Sequence, residues 1–383
     1  MKPLTKMNDT QRINTFLAHG LGSIYSAVSV HVLRDNMPIF SAAFGTGDPD
    51  GRFEQTSAVN ADTFFDLASL TKLFTTTALF RLIDAGHATL DTPLVTVLPE
   101  FDGVRPIRPY PHPLNTGEWV EVVPPTELKI NASMITLRQL LSHSSGLPAW
   151  LNLRYLPDNV ARLQACFTTP FAYPPGTRVV YSDIGYILLG EVVTRLSGKD
   201  SLATAIQTLV LHPLGMTVHY RHAPADLSVQ VAVAPTEFCQ WRQRRIVGEV
   251  HDENAASFGG ISGHAGLFGT ARDVAALGQV YLDHGSGFIS PELVQEATRM
   301  QIEDRGLGWM LRSAELSSSG QYFSPGSYGH TGFTGTSLWI DPERRIVCAL
   351  LTNAVFYGRD RMAILKFRRD FHDMLIETFD NLV

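Results

Sequence analysis

Residues 66–86 have the sequence DLASLTKLFTTTALFRLIDAG. Apolar side chains recur through this stretch at the spacing of a largely buried helix, with Gly86 where a left-handed terminator is expected. Ser69 and Lys72 are three positions apart, so a hydroxyl and an amine lie side by side on one helix face. Ser69 also falls in the expected first turn, where free N–H groups and the helix dipole favour an oxyanion.

This pair has the chemistry of a nucleophile and its base. A serine hydroxyl attacks only when another group takes its proton, and an apolar pocket lowers the pKa of a lysine towards neutrality by desolvation. We therefore expect Lys72 to act as a base for Ser69. The spacing is short and both residue types are common, so a capping or solvated role stays open until other motifs are considered.

The composition is that of an ordinary globular protein. The chain has 383 residues, 44% of them apolar and 18% charged, with a net charge of −6 and no basic stripe, so we expect no nucleic-acid partner and no membrane partner. Its three cysteines are far apart, which argues against a disulfide framework or a zinc site. Residues 1–22 lack the apolar run of a signal peptide, and a cytoplasmic location is expected.

Strand patterns lie near both ends of the chain, and helical patterns lie between them. Strands are predicted over residues 27–33, 38–44, 337–340 and 346–351. Helices are predicted over residues 9–19, 136–141, 184–196, 201–212, 271–282 and 361–379, with a further helix beginning at Asp91. We expect an α/β fold of the α+β type. An antiparallel sheet flanked by helices forms from residues 1–80 and 286–383, and residues 81–285 form an inserted, mainly helical domain.

Three segments interrupt this pattern. Residues 103–127 contain six prolines around Trp119, which excludes regular structure and predicts an insertion that acts as a lid, a binding loop or a linker. Residues 142–148, SHSSGLP, hold His143 but have the composition of a helix terminator, which favours a structural role. Residues 259–266 are rich in glycine without matching a nucleotide-binding motif, and we expect backbone packed closely against a cleft.

The motifs taken together resemble the serine β-lactamase and penicillin-binding-protein-like hydrolases, nearest the class C β-lactamase and family VIII esterase branch. Ser69-Leu70-Thr71-Lys72 is similar to the Ser-x-x-Lys motif of that family. Tyr181-Ser182-Asp183 resembles its Tyr-x-Asn motif, and His330-Thr331-Gly332 resembles its Lys-Thr-Gly motif. The three motifs occur in the family's order, and the likeness extends from about Ser26 to Asn353.

The resemblance implies a sheet domain, a helical domain and a catalytic cleft between them. It implies that Ser69 attacks an acyl carbonyl, with Lys72 and the Tyr181 phenol sharing the general-base work. The N–H groups of Ser69 and Phe333 would form the oxyanion hole. The substrate-binding residues would be Asp183, His330, Thr331 and Gly332. No cofactor or metal is implied.

Two positions depart from the family's motifs. His330 replaces a lysine that holds a substrate carboxylate, and a histidine with its ordinary pKa of about 6.5 is only partly charged at neutral pH. Asp183 replaces an amide with a carboxylate, which would raise the pKa of Tyr181 or of Lys72 if either is close. We therefore expect weaker binding of carboxylate substrates and slow β-lactam turnover.

These observations favour a serine hydrolase that cleaves small esters or amides through a Ser69 acyl-enzyme, with β-lactams among the candidate substrates. The alternatives are a true β-lactamase or a D-amino-acid peptidase or carboxypeptidase, and a non-catalytic binding protein with the same fold. A metal enzyme is disfavoured, because the adjacent residues His251, Asp252 and Glu253 cannot all face one ion on regular structure.

Overall fold

The computed structural model describes residues 9–47, 58–115, 117–122, 128–220 and 233–380. Its α-helices, α1 to α10, are Asp9–His19, Thr71–Asp84, Leu137–Leu141, Asn159–Thr168, Asp183–Ser197, Leu202–Ile206, Glu253–Ser257, Ala271–Leu282, Pro291–Thr298 and Met362–Asp380. Its strands, β1 to β15, are Ala27–Arg34, Met37–Gly45, Phe65–Asp66, Val104–Pro106, Tyr110–Pro111, Trp119–Val120, Lys129–Asn131, His219–Tyr220, Phe238–Cys239, Arg244–Arg245, Leu267–Gly269, Met310–Leu311, Tyr328–Thr331, Ser337–Asp341 and Ile346–Thr352.

Both ends of the described chain build the main sheet. Its six strands are in the order β12-β13-β14-β15-β1-β2, and every neighbouring pair is antiparallel. The join between the two ends is the β1–β15 pair, in which Val30 faces Leu350. The Asn353 side chain completes this join, because its Oδ1 accepts hydrogen bonds from the backbone N–H groups of Ser26 and Ala27 at 3.0 and 2.9 Å.

Helices cover both faces of the sheet. Helices α1 and α10 contact each other, and Leu17 and Phe371 belong to the apolar cluster that also contains Val30 and Trp339. Helix α8 packs against β1, β14 and β15 with side chains of a second, larger cluster. The predicted antiparallel sheet flanked by helices is therefore confirmed. The domain boundary at residue 285 stays a prediction, and α8, which precedes it, packs on the sheet.

The middle of the chain is mainly helical and packs around α2. Helix α2 contacts α5 and α6, and α5 also contacts α3 and α4. The glycine-rich segment approaches α5 closely, since a Cβ on Gly263 would lie 2.1 Å from the carbonyl oxygen of Tyr186 and 2.9 Å from the nitrogen of Gly190. The expectation that this glycine-rich backbone is closely packed is confirmed.

The helix predicted to begin at Asp91 is wrong. Only a single 3₁₀ turn, Leu94–Thr96, forms there, and Pro93 before it is extended. The backbone N–H of Leu94 donates to the carbonyl of Ile135 at 2.7 Å, and that of Leu137 donates to Thr92 at 3.1 Å. Hydrogen bonds to the distant segment at 135–137 replace those that a helix would have made. Across the described ranges, no helix combines the length and apolar character needed to cross a membrane.

Candidate active site

Ser69 lies at the beginning of a long buried helix, as the sequence predicts. Residues Ala68–Leu70 form a 3₁₀ turn that continues into α2. The Lys72 Nζ is 3.0 Å from Ser69 Oγ, and the lysine side chain is buried. At the start of a helix, the Ser69 N–H is among the donors without an intrahelical acceptor.

The residue before the nucleophile has an unusual backbone. Ala68 has a φ of +47°, a left-handed conformation that costs a residue with a Cβ about 1–2 kcal/mol. The buried side chain of Asp66 stabilises it, because one carboxylate oxygen accepts from the Ala68 N–H at 2.8 Å. The other oxygen accepts from the His251 N–H at 2.6 Å. Asp66 thus fixes the backbone that presents Ser69 to the cavity.

Lys72 is held by three groups. Besides Ser69, its Nζ donates to the His264 carbonyl at 3.1 Å and forms an ion pair with Asp183 Oδ1 at 2.7 Å. Burial lowers the pKa of Lys72, but Asp183 and Tyr181 outweigh it and raise the pKa above the ordinary lysine value. The expected depression of the pKa is wrong for this reason. The alternative expectation, that a nearby Asp183 raises the pKa of Lys72, is confirmed.

His143 positions the segment that carries Tyr181 and Asp183. Its Nδ1 accepts from the Ser182 N–H at 3.0 Å, and its carbonyl accepts from the Val180 N–H at 2.9 Å. The imidazole also lies against the Tyr181 ring, with 4.5 Å between centroids. Burial, together with the charges of Arg305 and Lys72, holds the pKa of His143 well below its usual range. A neutral His143 therefore acts on the backbone and the phenol ring, which agrees with the predicted structural role.

The predicted oxyanion loop packs against the nucleophile segment. The Gly332 N–H donates to the Thr336 carbonyl at 2.7 Å, and Thr336 Oγ1 donates to the Leu67 carbonyl at 3.1 Å. A Cβ on Gly332 would lie 2.1 Å from Thr336 Oγ1 and 2.7 Å from the Leu67 oxygen, so no larger residue fits without movement. This contact brings Phe333 and Ser69 to one cavity.

His330 is close to the same cavity but carries no charge. Its Nδ1 donates to the Thr331 carbonyl at 2.9 Å, and the side chain is 2% exposed. Burial and the positive charges of Lys72 and Arg305 lower the pKa of His330 to about 3. The sequence suggested a partly charged imidazole at neutral pH, whereas its surroundings keep it neutral.

Six of the eight predicted site residues line a cavity of about 420 Å³, and the other two, Lys72 and Gly332, lie outside its lining. The predicted residues on its lining are Ser69, Tyr181, Asp183, His330, Thr331 and Phe333. The proline-rich insertion supplies another part of the wall, through Pro111, His112, Pro113, Leu114 and Gly117. This insertion therefore contributes to the cavity rather than serving as a linker, although residues 116 and 123–127 lie outside the described residues. His264 and Ala265, from the glycine-rich segment, also line the cavity, as the sequence predicts.

Four arginines that no sequence motif indicates also line this cavity: Arg154, Arg305, Arg359 and Arg361. Arg154 and Arg359 are paired with Glu253, at 3.3 and 2.7 Å. Within the described ranges Arg305 forms an ion pair only with its neighbour Asp304, at 3.3 Å, and its Cζ lies 5.8 Å from the centroid of the Tyr181 ring. Among the described residues, Arg361 has no carboxylate partner within 4.0 Å. Arg305 and Arg361 thus add positive charge beside the predicted nucleophile.

The sequence placed the 259–266 backbone at a cleft but gave no indication of the polar contacts that the His264 side chain makes there. His264 Nε2 lies 2.9 Å from Asp252 Oδ1, and its Nδ1 lies 2.8 Å from Ser262 Oγ. These distances resemble those of a Ser-His-Asp triad, but Ser262 is buried and does not line the cavity. We therefore interpret Ser262 as a group that orients His264. Of residues 251–253, Asp252 is the one that contacts His264. Because the two residues are twelve positions apart, the run of adjacent polar residues at 251–253 did not predict this contact.

Comparison with known proteins matches most of the chain. The family model described as Beta-lactamase matches residues 17–372. A protein of Escherichia coli strain K12, described as "Putative D-alanyl-D-alanine carboxypeptidase", is 30% identical over 86% of this chain and 78% of its own length.

Solved structures show the same fold. EstCE1, described as a hydrolase with promiscuous acyltransferase activity, covers 95% of this chain and 98% of its own, with a TM-score of 0.71 and 19% identity. The structure described as SurE covers 97% of this chain and 76% of its own, with a TM-score of 0.67 and 21% identity.

Proposed function

Since this chain belongs to the β-lactamase family of serine hydrolases, we propose that it cleaves small esters or amides through an acyl-enzyme on Ser69. The observation that carries the proposal is the 3.0 Å contact between Ser69 Oγ and Lys72 Nζ at the wall of a cavity of about 420 Å³. Ser69, Tyr181 and Asp183 line this cavity, and Lys72 is buried behind them, in contact with Ser69 and Asp183.

The proposed reaction begins with proton transfer out of the Ser69–Lys72 pair. Because Lys72 is held as an ammonium, it must give up a proton before it can take one from Ser69. Asp183 Oδ1 lies 2.7 Å from Nζ and accepts this proton. Lys72 then takes the proton of the Ser69 hydroxyl in its place. Ser69 Oγ then bonds to the acyl carbon while the N–H groups of Ser69 and Phe333 bind the oxyanion.

The second half of the reaction returns the enzyme to its starting state. The bond from the acyl carbon to the leaving group breaks, and the Tyr181 hydroxyl supplies the proton that the leaving group needs. A water then attacks the acyl carbon, loses its proton to Tyr181, and releases the acid as Ser69 Oγ regains a proton from Asp183 through Lys72. Protons and bonds balance over the cycle, with one water consumed for each ester or amide.

A D-amino-acid carboxypeptidase is the second candidate, and the arginines favour it. A peptide substrate of that kind carries a free carboxylate on its leaving group, and a guanidinium can bind a carboxylate through two hydrogen bonds. Arg305 would then supply the positive charge that the neutral His330 lacks. The description of the E. coli relative points to the same substrate class.

Three substrates separate these candidates. The purified chain would be incubated with a p-nitrophenyl ester, a chromogenic cephalosporin and a peptide ending in D-alanyl-D-alanine. We expect ester cleavage that is lost in Ser69→Ala, and a covalent adduct on Ser69 by intact mass after treatment with a fluorophosphonate. Rapid cephalosporin turnover without esterolysis would favour a true β-lactamase. An adduct that persists in Ser69→Ala, or none in wild type, would reject the proposed nucleophile.

A further inference from the structure

Asp183, Asp252 and His264 bring three potential metal ligands together on the cavity wall. One ligand atom from each side chain lies within 4.8 Å of the other two, and all three residues line the cavity. Two carboxylate oxygens and an imidazole nitrogen form a ligand set that suits Zn²⁺, with the open cavity leaving room for a water as fourth ligand. We propose that this site binds Zn²⁺ reversibly and that the bound ion inhibits the enzyme.

The imidazole is already oriented for such a ligand. His264 is 1% exposed, and its Nδ1 is hydrogen-bonded to the buried Ser262 Oγ at 2.8 Å. This leaves Nε2 facing the Asp252 carboxylate at 2.9 Å. Histidines that bind metals generally use their second nitrogen in this way, because the additional hydrogen bond fixes the ring and its tautomer. Ser262 lies outside the ligand set, so it is a supporting group rather than another ligand.

Lys72 competes with the ion for one of the three ligands. Its Nζ is 2.7 Å from Asp183 Oδ1, so an ammonium group occupies part of the site. A zinc ion bound to Asp183 displaces that ammonium group from its carboxylate partner and places positive charge beside it. The ion also occupies part of the cavity that Ser69 lines. Both effects predict inhibition. The inhibition rests on the proposed function, whereas binding of the ion is independent of that function.

A second group of potential ligands differs in one respect. Glu237, Cys239 and Glu253 also have ligand atoms within 4.8 Å of one another. The guanidinium of Arg359 lies between the two glutamates, 2.5 Å from Glu237 and 2.7 Å from Glu253. One cation of the protein thus bridges both carboxylates of this group, whereas in the first group Lys72 pairs with only one of the two carboxylates, that of Asp183. We therefore do not assign an ion to this group, and Cys239 provides a matched control.

The experiment measures zinc affinity by competition with a chromophoric chelator, using the full chain freed of metal. We expect His264→Gln to bind zinc at least about tenfold more weakly and Ser262→Ala to weaken binding in the same direction. Lys72→Met is expected to bind zinc more tightly than wild type, because it frees Asp183 from its competitor. Cys239→Ser should bind like wild type, and thermal melts establish that each variant is folded.

His264→Gln is expected to weaken zinc binding and Lys72→Met to strengthen it. The proposal can therefore be refuted even if one of these variants fails to fold. Equal affinity in wild type, His264→Gln and Lys72→Met would overturn it, as would weaker binding by Lys72→Met. Loss of binding in Cys239→Ser would place the ion at the other group and overturn it as well. If the chain hydrolyses none of the substrates tested, the proposed function fails, yet chelator competition still tests the metal site.

Discussion

His330 makes the stability of the protein depend on pH in a direction that can be calculated. Lys72 and Arg305 place two positive charges around it, the Tyr181 ring lies 6.0 Å away, and the Thr331 carbonyl accepts a hydrogen bond from its Nδ1. In the part of the chain that the structure describes, no carboxylate forms an ion pair with it. The pKa of His330 is about 3 in the folded chain, against about 6.5 when the chain is unfolded. Below pH 6.5 the unfolded state therefore binds a proton that the folded state does not.

The size of the effect follows from this difference. Between pH 7 and pH 5 the unfolded histidine becomes almost fully protonated while the folded one stays neutral, which lowers the free energy of unfolding by about 2 kcal/mol. The loss begins as the pH falls through about 6.5 and ends near the folded pKa of about 3. His143 and His372, whose pKa values burial also lowers, contribute in the same direction.

Comparison with a variant isolates the contribution of His330. His330→Asn keeps a donor for the Thr331 carbonyl but cannot titrate, so its free energy of unfolding should fall by about 2 kcal/mol less than that of wild type between pH 7 and pH 5. Urea unfolding curves at both pH values measure this, and exposed His19 gives the control His19→Gln. Equal losses in wild type and His330→Asn would refute the interpretation of His330 as a neutral, buried group.

Three further substitutions test the geometry of the site. Ala68→Gly relieves the left-handed strain and should destabilise the protein less than Ala165→Gly, which costs about 1 kcal/mol within helix α4, as thermal melts can measure. Gly332→Ala pushes the loop away from Leu67 and should lower kcat for ester cleavage about 100-fold. In Gly326→Ala the added Cβ meets its nearest atom at 3.9 Å, so its kcat should not change. Arg305→Gln should raise KM for a peptide with a free carboxylate but not for the corresponding amide, and equal effects on both would reject carboxylate binding.

The fold was largely predictable because its signals are local and periodic. Apolar and polar residues alternate near both ends of the sequence, which predicts one hairpin at each end. Pairing the two hairpins in a single sheet is the simplest way to bury their apolar faces. The helix beginning at Asp91 was wrong because hydrogen bonds to residues 135–137 decide that segment. A single sequence contains no record of such distant partners, so propensity alone predicts the wrong element there.

The part of the candidate site that could be predicted from the sequence is the part whose residues belong to one short motif. Ser69 and Lys72 are neighbours on one helix, and their contact follows from spacing alone. The protonation state of Lys72 does not follow from spacing, because it depends on whether Asp183 lies near enough for its charge to outweigh the effect of desolvation on the pKa of Lys72. Arg305, Asp252 and His264 belong to no motif, and only the folded chain brings them to the cavity. The sequence thus predicts the Ser69–Lys72 contact but not the charged groups that surround it.

The pairing of β1 with β15 has a consequence for the newly made protein. Ser26 and Asn353, which are hydrogen-bonded across this join, are 327 positions apart. At about 5–20 residues per second, a ribosome needs about 15–65 s to make the intervening chain. Throughout that time the first hairpin has an unpaired edge, and the Ser69 helix has no loop at 332–336 to pack against. A nascent chain therefore contains Ser69 and Lys72 long before the cavity around them is complete, and its first hairpin keeps an unpaired edge, which is prone to aggregation, until the last strands are made.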